Sequence, residues 1–258
     1  MPPPRETNAL RDMAYMGVEV PPLDPAPSDA RTCLLHAVVK RKKGALMSSQ
    51  MFELSLSSAP DSTILAAKRV STGSSHYYFF EAGKKKPFAR VRDAPADAKF
   101  HDTSSEMALY GHQRASRGGA PREIGVILEP SPAAAGDARA ANDFLATVSG
   151  GSASPAPGGG ASGNLFERFS HQDGGLVVMM QRDPAKRDGK YSLDFRGRGK
   201  VASVKNFQLI VASDHESFNR EEIVLQFCKV AANRFHLDFA PPFTPATAFA
   251  LAVSTCLT

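Results

Sequence analysis

Between positions 68 and 92 the sequence sets seven basic residues against a single acid: Lys68, Arg69, Lys84, Lys85, Lys86, Arg90 and Arg92 against Glu81. Arg90 and Arg92 are two apart, so on a strand both side chains leave the same face. Two neighbouring guanidinium groups suit a pair of adjacent phosphates, because each can donate two parallel hydrogen bonds to one phosphate. Lys84-Lys85-Lys86 precede them at an expected turn. There, three ammonium groups can meet a negatively charged surface, each contributing about 1 kcal/mol near an anionic membrane. Runs of charge more often belong to a solvated face, and the residues alone leave that alternative open.

No other constellation offers comparable chemistry. Ser213-Asp214-His215-Glu216 has the residue types of a hydrolytic triad. Chain neighbours in one loop point in different directions, however, whereas a triad needs side chains that converge. The seven histidines include no pair four apart beside a glutamate, and Cys33, Cys228 and Cys256 form no spaced pair. Neither a metalloprotease-like site nor a zinc cage is expected. Gly197-Arg198-Gly199-Lys200 follows a β-like segment but opens no helix and lacks the Walker spacing, so it reads as a turn at a strand end. The expectation is a binding protein, not an enzyme, with no cofactor and no metal.

The elements that must position the basic residues are strands. Short apolar or alternating segments recur at Cys33–Lys40, Met51–Leu56, Thr63–Ser71, Ser75–Ala82, Ala89–Asp93, Met107–Gly111 and Ile124–Leu128. They continue at Leu176–Gln181, Ser192–Gly197, Asn206–Ala212, Ile223–Lys229 and Arg234–Phe239. A dozen strands of this length, separated by turn residues, predict an all-β sandwich or barrel. Val230–Asn233 is short enough to join the last two as a hairpin. Residues 1–30 are rich in proline and form a disordered lead-in; residues 31–258 form one domain. A flexible insertion loop rich in Gly, Ser and Pro interrupts it at about 131–164, with linker composition at Gly150–Gly160 and a short helix expected at Asp137–Val148.

The net charge of +5 and a pI near 9.2 favour an anionic partner without choosing among nucleic acid, anionic lipid and acidic protein. No uncharged apolar run suits a membrane span of roughly 18–20 residues. Ala240–Thr258 comes nearest, but Pro241, Pro242 and Pro245 crowd its start. The chain is expected to be soluble and to meet any membrane peripherally. An unpaired cysteine and an N-terminus without a secretory pattern or a myristoylation glycine fit a reducing compartment.

The final segment decides between sandwich and barrel. Thr244 followed by Pro245 is a good helix start, a hydroxyl cap with proline at the first helical position. Ala248, Phe249, Ala250, Leu251, Ala252, Val253 and Cys256 then make that helix apolar on every face. Such a helix must be enclosed on all sides. In a chain of strands the enclosure is the inside of a barrel, or the space between two sheets.

The stretch Tyr191-Ser192-Leu193-Asp194-Phe195-Arg196-Gly197-Arg198, followed by Ala202–Gln208, resembles a signature of the tubby family. So do Val224–Val230 with Arg234–Phe239, and the ending Pro242-Phe243-Thr244-Pro245-Ala246-Thr247-Ala248-Phe249-Ala250-Leu251-Ala252. The resemblance covers about residues 31–258, strongest after Tyr191. It implies a closed antiparallel β-barrel of about twelve strands enclosing the apolar C-terminal helix. It also implies a domain that binds phosphoinositide headgroups of the phosphatidylinositol 4,5-bisphosphate type.

On that resemblance, Arg90 and Arg92 correspond to the family's pair of basic headgroup ligands, with Lys99-Phe100 following. Arg122, in Gly119-Ala120-Pro121-Arg122, corresponds to a third. His76, in Ser75-His76-Tyr77, replaces a family asparagine; it still donates a hydrogen bond and gains charge when protonated. Asp93 and Asp97 bring two acids near the site and would weaken binding. Lys84, Lys85 and Lys86 add membrane-surface electrostatics.

The implied protein is a monomeric peripheral adaptor on the cytoplasmic face of the plasma or ciliary membrane, with protein cargo or a trafficking complex as a further partner. A nuclear location and nucleic-acid binding through the same basic face stand as the alternative. The contiguous block Tyr77-Tyr78-Phe79-Phe80 speaks against it, reading as a buried strand more than as a stacking platform.

Overall fold

Alternation at period two accounts for most of the observed strands. In the computed structural model, which describes residues 34–43, 50–69, 76–92, 97–101, 106–113, 123–128, 165–170, 176–187, 190–212 and 222–257, fourteen strands and two helices appear. The strands are β1 (Leu35–Lys43), β2 (Gln50–Leu56), β3 (Thr63–Lys68), β4 (His76–Glu81), β5 (Ala89–Arg92), β6 (Asp97–His101) and β7 (Glu106–Gln113). They continue as β8 (Glu123–Leu128), β9 (Val177–Gln181), β10 (Ala185–Arg187), β11 (Lys190–Ser192), β12 (Phe207–Val211), β13 (Ile223–Ala231) and β14 (Arg234–Phe239). Helix α1 spans Leu165–Ser170 and α2 spans Pro245–Leu257.

Every pairing is antiparallel, and the order is β1-β14-β13-β12-β9-β8-β7-β6-β5-β4-β3-β2, with β2 paired back to β1 as a closed ring. Only β10 and β11 stand apart, as a two-stranded sheet. Ile124, Val126 and Leu128 of β8 turn inward, as do Phe235, Leu237 and Phe239 of β14 and Tyr77 and Phe79 of β4. Their neighbours at alternate positions face outward.

Inside the ring lies α2, and eleven consecutive residues, Ala246 to Cys256, are buried. No helix can bury that many successive positions against one surface, because they point in every direction around its axis. The wall meets the helix edge to face where Phe79 approaches Phe249, ring centroids 5.5 Å apart. The Tyr110 hydroxyl donates to the Thr247 carbonyl at 2.8 Å, and burial holds that phenol well above its ordinary pKa.

Both ends of α2 are capped by polar groups. The Thr247 amide donates to Thr244 Oγ1 at 3.2 Å and the Thr244 amide donates to Thr247 Oγ1 at 2.9 Å, a reciprocal cap in which threonine stands in the glutamate position. At the other end Lys205 Nζ donates to the Thr255 and Cys256 carbonyls at 2.9 and 3.2 Å, a cation where the helix dipole is negative.

The ring therefore has a proximal mouth, where β14 hands over to α2 at Phe239, and a distal mouth, where α2 ends beside Lys205. Chain direction places Leu35 and the β4–β5 turn at the proximal mouth, and Gln50, His76, Arg92 and Arg234 at the distal one.

Three sequence expectations need correction or placing. Ser192–Gly197 is not a strand of the ring. After β11 the chain turns where Arg196 takes a φ of 50° and its amide is held by Asp194 Oδ1 at 2.7 Å. Residues 193–206 then run without regular structure over the outside of the barrel. The segment read as a loop at Asp93–Asp97 yields at its end a strand, β6, that the alternation did not reveal. The lead-in at 1–30 and the insertion at 131–164, with its expected helix, lie outside the described residues, as do Arg122 and Ser213–Glu216.

Candidate functional site

The basic stretch folds into the β4–β5 hairpin and its neighbour β3. Gly83 takes a φ of 74°, a left-handed conformation that glycine adopts without strain, and the turn is held where the Lys84 amide donates to the Glu81 carbonyl at 3.1 Å. The Phe88 amide donates to the Phe79 carbonyl at 2.9 Å and starts the return strand. Lys84, Lys85 and Lys86 are all exposed on this turn.

Register then fixes the wall. His76 stands opposite Arg92, Tyr78 opposite Arg90, and Lys68 of β3 opposite Tyr78. Lys68, Tyr78 and Arg90 thus form one cross-strand row on the outer face. Tyr77, Phe79 and Val91 on the inner face belong to the core. Arg90 is exposed, and Lys68 is exposed with Nζ 4.9 Å from the centroid of the Phe80 ring. Arg69, at the strand end, lies 5.3 Å from the Tyr77 ring. The structure brings His76, Arg90 and the Arg92 backbone together on one hairpin. It sets Lys84–Lys86 at the opposite mouth from His76 and Arg92, a separation the sequence did not reveal.

Among the described residues no carboxylate pairs with Lys68, Lys84, Lys85, Lys86 or Arg90, whereas on β1, beyond β2, two cations are neutralised. Lys40 pairs with Asp61 at 3.2 Å and Lys42 with Glu53 at 2.6 Å. Among the described residues no cluster of His, Cys, Asp and Glu could hold a metal ion.

A second polar centre, which the sequence did not single out, occupies the opposite wall. Asp238 points outward from β14 yet is fully buried, beneath residues 193–206. Arg198 grips it with two nitrogens, Nε at 2.9 Å from Oδ2 and a second to Oδ1. His36 Nδ1 lies 2.9 Å from the same Oδ1, and Gln226 Nε2 donates to Oδ2 at 2.8 Å. Gln208 extends the chain by donating to Gln226 Oε1 at 3.2 Å and to the Asp194 carbonyl at 2.8 Å.

Burial by itself would raise the Asp238 carboxyl, but the His36 and Arg198 hydrogen bonds and the Arg198 charge hold it below the usual carboxylate range. His236, whose Nδ1 is 3.1 Å from the Arg198 carbonyl, is held below its ordinary value by burial and then by the Arg198 charge. Burial, and then the Asp238 charge, push the Cys228 thiol up to about 12. Such a thiol is inert at neutral pH. A side chain at Gly199 would press on the Phe195 ring at 3.2 Å and on Cys228 Cβ at 3.4 Å, so residues 193–206, a strap across the wall, need glycine there to lie this close. Apart from Gln208 Oε1, which is buried without a hydrogen-bond partner, the polar groups named here are satisfied by one another, and the centre holds residues 193–206 down. Its only sequence signal was that Arg198 and Asp238 both fall in the stretches that resemble the family.

Comparison with known proteins gives this architecture a family. The human protein "Tubby-related protein 2" is 37% identical over 95 residues, 36% of this chain and 17% of its own length. "Tubby-like F-box protein 9" of Arabidopsis thaliana is 46% identical over 66 residues, 25% of this chain and 17% of its own. "Tubby protein homolog 1" of Caenorhabditis elegans is 36% identical over 94 residues, 35% of this chain and 21% of its own. The chain thus spans about a fifth of the length of these relatives. The model of the Tub family matches residues 89–257, well over half of the sequence, from β5 through the buried helix. The chain belongs to the tubby family.

Proposed function

We propose that this chain binds phosphoinositide headgroups of the phosphatidylinositol 4,5-bisphosphate type and acts as a peripheral membrane adaptor. The observation that carries the reading is the exposed Arg90, without a carboxylate partner among the described residues, on the hairpin where His76 and Arg92 stand in register. An arginine that no carboxylate satisfies is available to an external anion, and its planar fork matches a phosphate. In this reading Arg90, Arg92 and Arg122 hold the ring phosphates. His76 donates one further hydrogen bond, and its protonation strengthens binding in acid. Lys84–Lys86 supply attraction to any anionic surface. Family membership supports an adaptor role, with delivery of membrane proteins, ciliary ones included, as its setting.

Flotation with vesicles across the phosphoinositides, at two salt concentrations, tests the reading. Arg90→Ala with Arg92→Ala should abolish discrimination between bisphosphorylated lipid and phosphatidylserine while leaving the melting temperature within a few degrees. Soluble inositol phosphates should compete with the wild type and not with that variant. Retained selectivity in the double variant would show that the site lies elsewhere. Indifference to phosphoinositides together with steeply salt-dependent RNA binding would move the reading to nucleic acid.

A further inference from the structure

The two groups assigned to the membrane, His76 with Arg92 and the lysines of the turn, stand at opposite mouths of the ring. His76 to Glu81 spans about 17 Å of strand. A barrel tilt of about 40° still leaves about 13 Å along the axis. A membrane laid across the distal mouth would therefore sit beyond the screening length of about 8 Å from Lys84–Lys86. Only a plane lying along the outer wall reaches both groups.

That wall has the character a lipid surface requires. The described outward positions of β3, β4 and β5 include Lys68, His76 and Arg90 and no carboxylate; Glu81 has the parity of the inward residues Tyr77 and Phe79. The Lys68–Tyr78–Arg90 row crosses the middle of the wall, with its two cations about 10 Å apart at two interstrand spacings. The half-buried Tyr78 supplies an aromatic ring of the kind that sits at headgroup level, and the buried Phe80 ring lies beneath Lys68. On the wall of β13, β14 and β1 the outward Lys40 and Lys42 have carboxylate partners, Arg198 of the segment lying over it is bound to Asp238, and the exposed Arg234 sits at the distal end of β14.

We infer that the barrel docks side-on, with the outer wall of β3–β5 lying flat on an anionic membrane, Lys68 and Arg90 in the centre and Lys84–Lys86 at one rim. The inference rests on the phosphoinositide reading above and adds an orientation and a central residue, Lys68, to it. Side-on docking lets one headgroup occupy the arginine end while Lys68 engages the phosphate of a neighbouring lipid.

The sequence contains no tryptophan, so an introduced one reports lipid contact without background. Ala82→Trp places the probe on the exposed β4–β5 turn, and Ala232→Trp places it on the exposed β13–β14 turn, at the distal mouth and five strands round the ring. The vesicles are phosphatidylcholine with a few per cent of phosphatidylinositol 4,5-bisphosphate, with and without brominated acyl chains as quencher. Ala82→Trp should be quenched and Ala232→Trp should not.

Replacing Lys84, Lys85 and Lys86 by Gln should weaken vesicle affinity on the order of a hundredfold, against less than twofold for end-on docking. Lys68→Gln should weaken vesicle binding yet leave competition by soluble inositol trisphosphate unchanged, as a contact to a second lipid would. Any other quenching pattern with flotation intact, or lysine variants that bind vesicles like the wild type, overturns the orientation and leaves the headgroup reading standing. Wild-type protein that does not float overturns both.

Discussion

Arg198 and Arg90 lie on opposite walls of one ring and differ in everything but side-chain type. Arg198 closes both nitrogens on Asp238, which is held at once by His36 and Gln226 and covered by the strap. Arg90 stands in the open, opposite Tyr78 and His101 in register, with no acid among its described neighbours. A charge whose partner is built into the fold stabilises the fold and has nothing left to give a ligand. A charge left without a partner contributes nothing to the fold and stays available. The difference lies in the partners, and it separates a structural arginine from a binding one more sharply than burial alone.

The largest perturbation should ignore the distinction. Leu251→Asp puts an unpaired charge at the centre of α2, where every neighbouring position is buried, and should cost several kcal/mol. Both walls should lose structure together, seen as molten or insoluble protein by circular dichroism. Native-like melting of that variant would mean that the walls hold without the helix.

Next comes Asp238→Ala, which strands the partly buried Arg198 and the Gln226 amide. A loss of about 3 kcal/mol is expected in denaturant titration, whereas Arg90→Ala should stay within about 0.5 kcal/mol of wild type. Equal losses at the two arginine sites would erase the contrast. Lys205→Met removes the cation at the end of α2 and should cost about 1 kcal/mol, without effect on vesicle binding.

Acid sharpens the contrast further. Because His236 is held below its ordinary value of about 6.5, the unfolded chain takes up that proton first as pH falls. The stability it contributes is present above about pH 6.5 and lost as pH falls through the folded value. The Asp238 contribution follows the same sign lower down, present above about pH 3.9 and lost beneath it. Melting temperatures from pH 7 to pH 5 should therefore fall less steeply in His236→Gln than in the wild type. Phosphoinositide binding should instead rise in the same interval if His76 takes up a proton beside the headgroup. The smallest effect on stability is expected from replacing Lys84–Lys86, whose ammonium groups touch nothing the fold uses.

How much of this was legible in the sequence follows from where each signal resides. Helix α2 was readable because Ala246 to Cys256 is apolar on all sides, and one dimension is enough to see that. The block Tyr77–Phe80 read as a buried strand, but with four aromatics in a row it did not show that Tyr77 and Phe79 belong to the core cluster while Tyr78 faces out. The strand order, the Lys68–Tyr78–Arg90 row and the placement of Lys84–Lys86 at the far mouth depend on register between strands, which local periodicity does not encode.

Ser192–Gly197 reads as a strand because Leu193 and Phe195 alternate with polar residues. The segment is instead tied to the outside of the ring, by Gln208 at the Asp194 carbonyl and just beyond its end by the Arg198 pair with a residue 40 positions later. β6 is not legible because Asp97-Ala98-Lys99-Phe100-His101 alternates only weakly and follows directly on the turn-like Asp93-Ala94-Pro95-Ala96. The resemblance to the family supplied what patterning could not, above all His76, whose place opposite Arg92 nothing in its own neighbourhood suggests.

The hydrogen bond between His36 and Asp238 joins residues 202 positions apart, and the seam it decorates, β1 against β14, is the one that shuts the ring. Joining chain segments so distant carries a loop-closure entropy of about 5 kcal/mol before any contact forms. Nearly all of the intervening wall can assemble as nearest-neighbour hairpins, so this seam is expected late, after the rate-limiting barrier has been crossed. Contacts made after the barrier leave the folding rate alone and govern how long the native state lasts. Weakening the Asp238 centre should thus leave refolding nearly as fast as before and shorten the lifetime of the folded barrel, making the seam a latch on kinetic persistence.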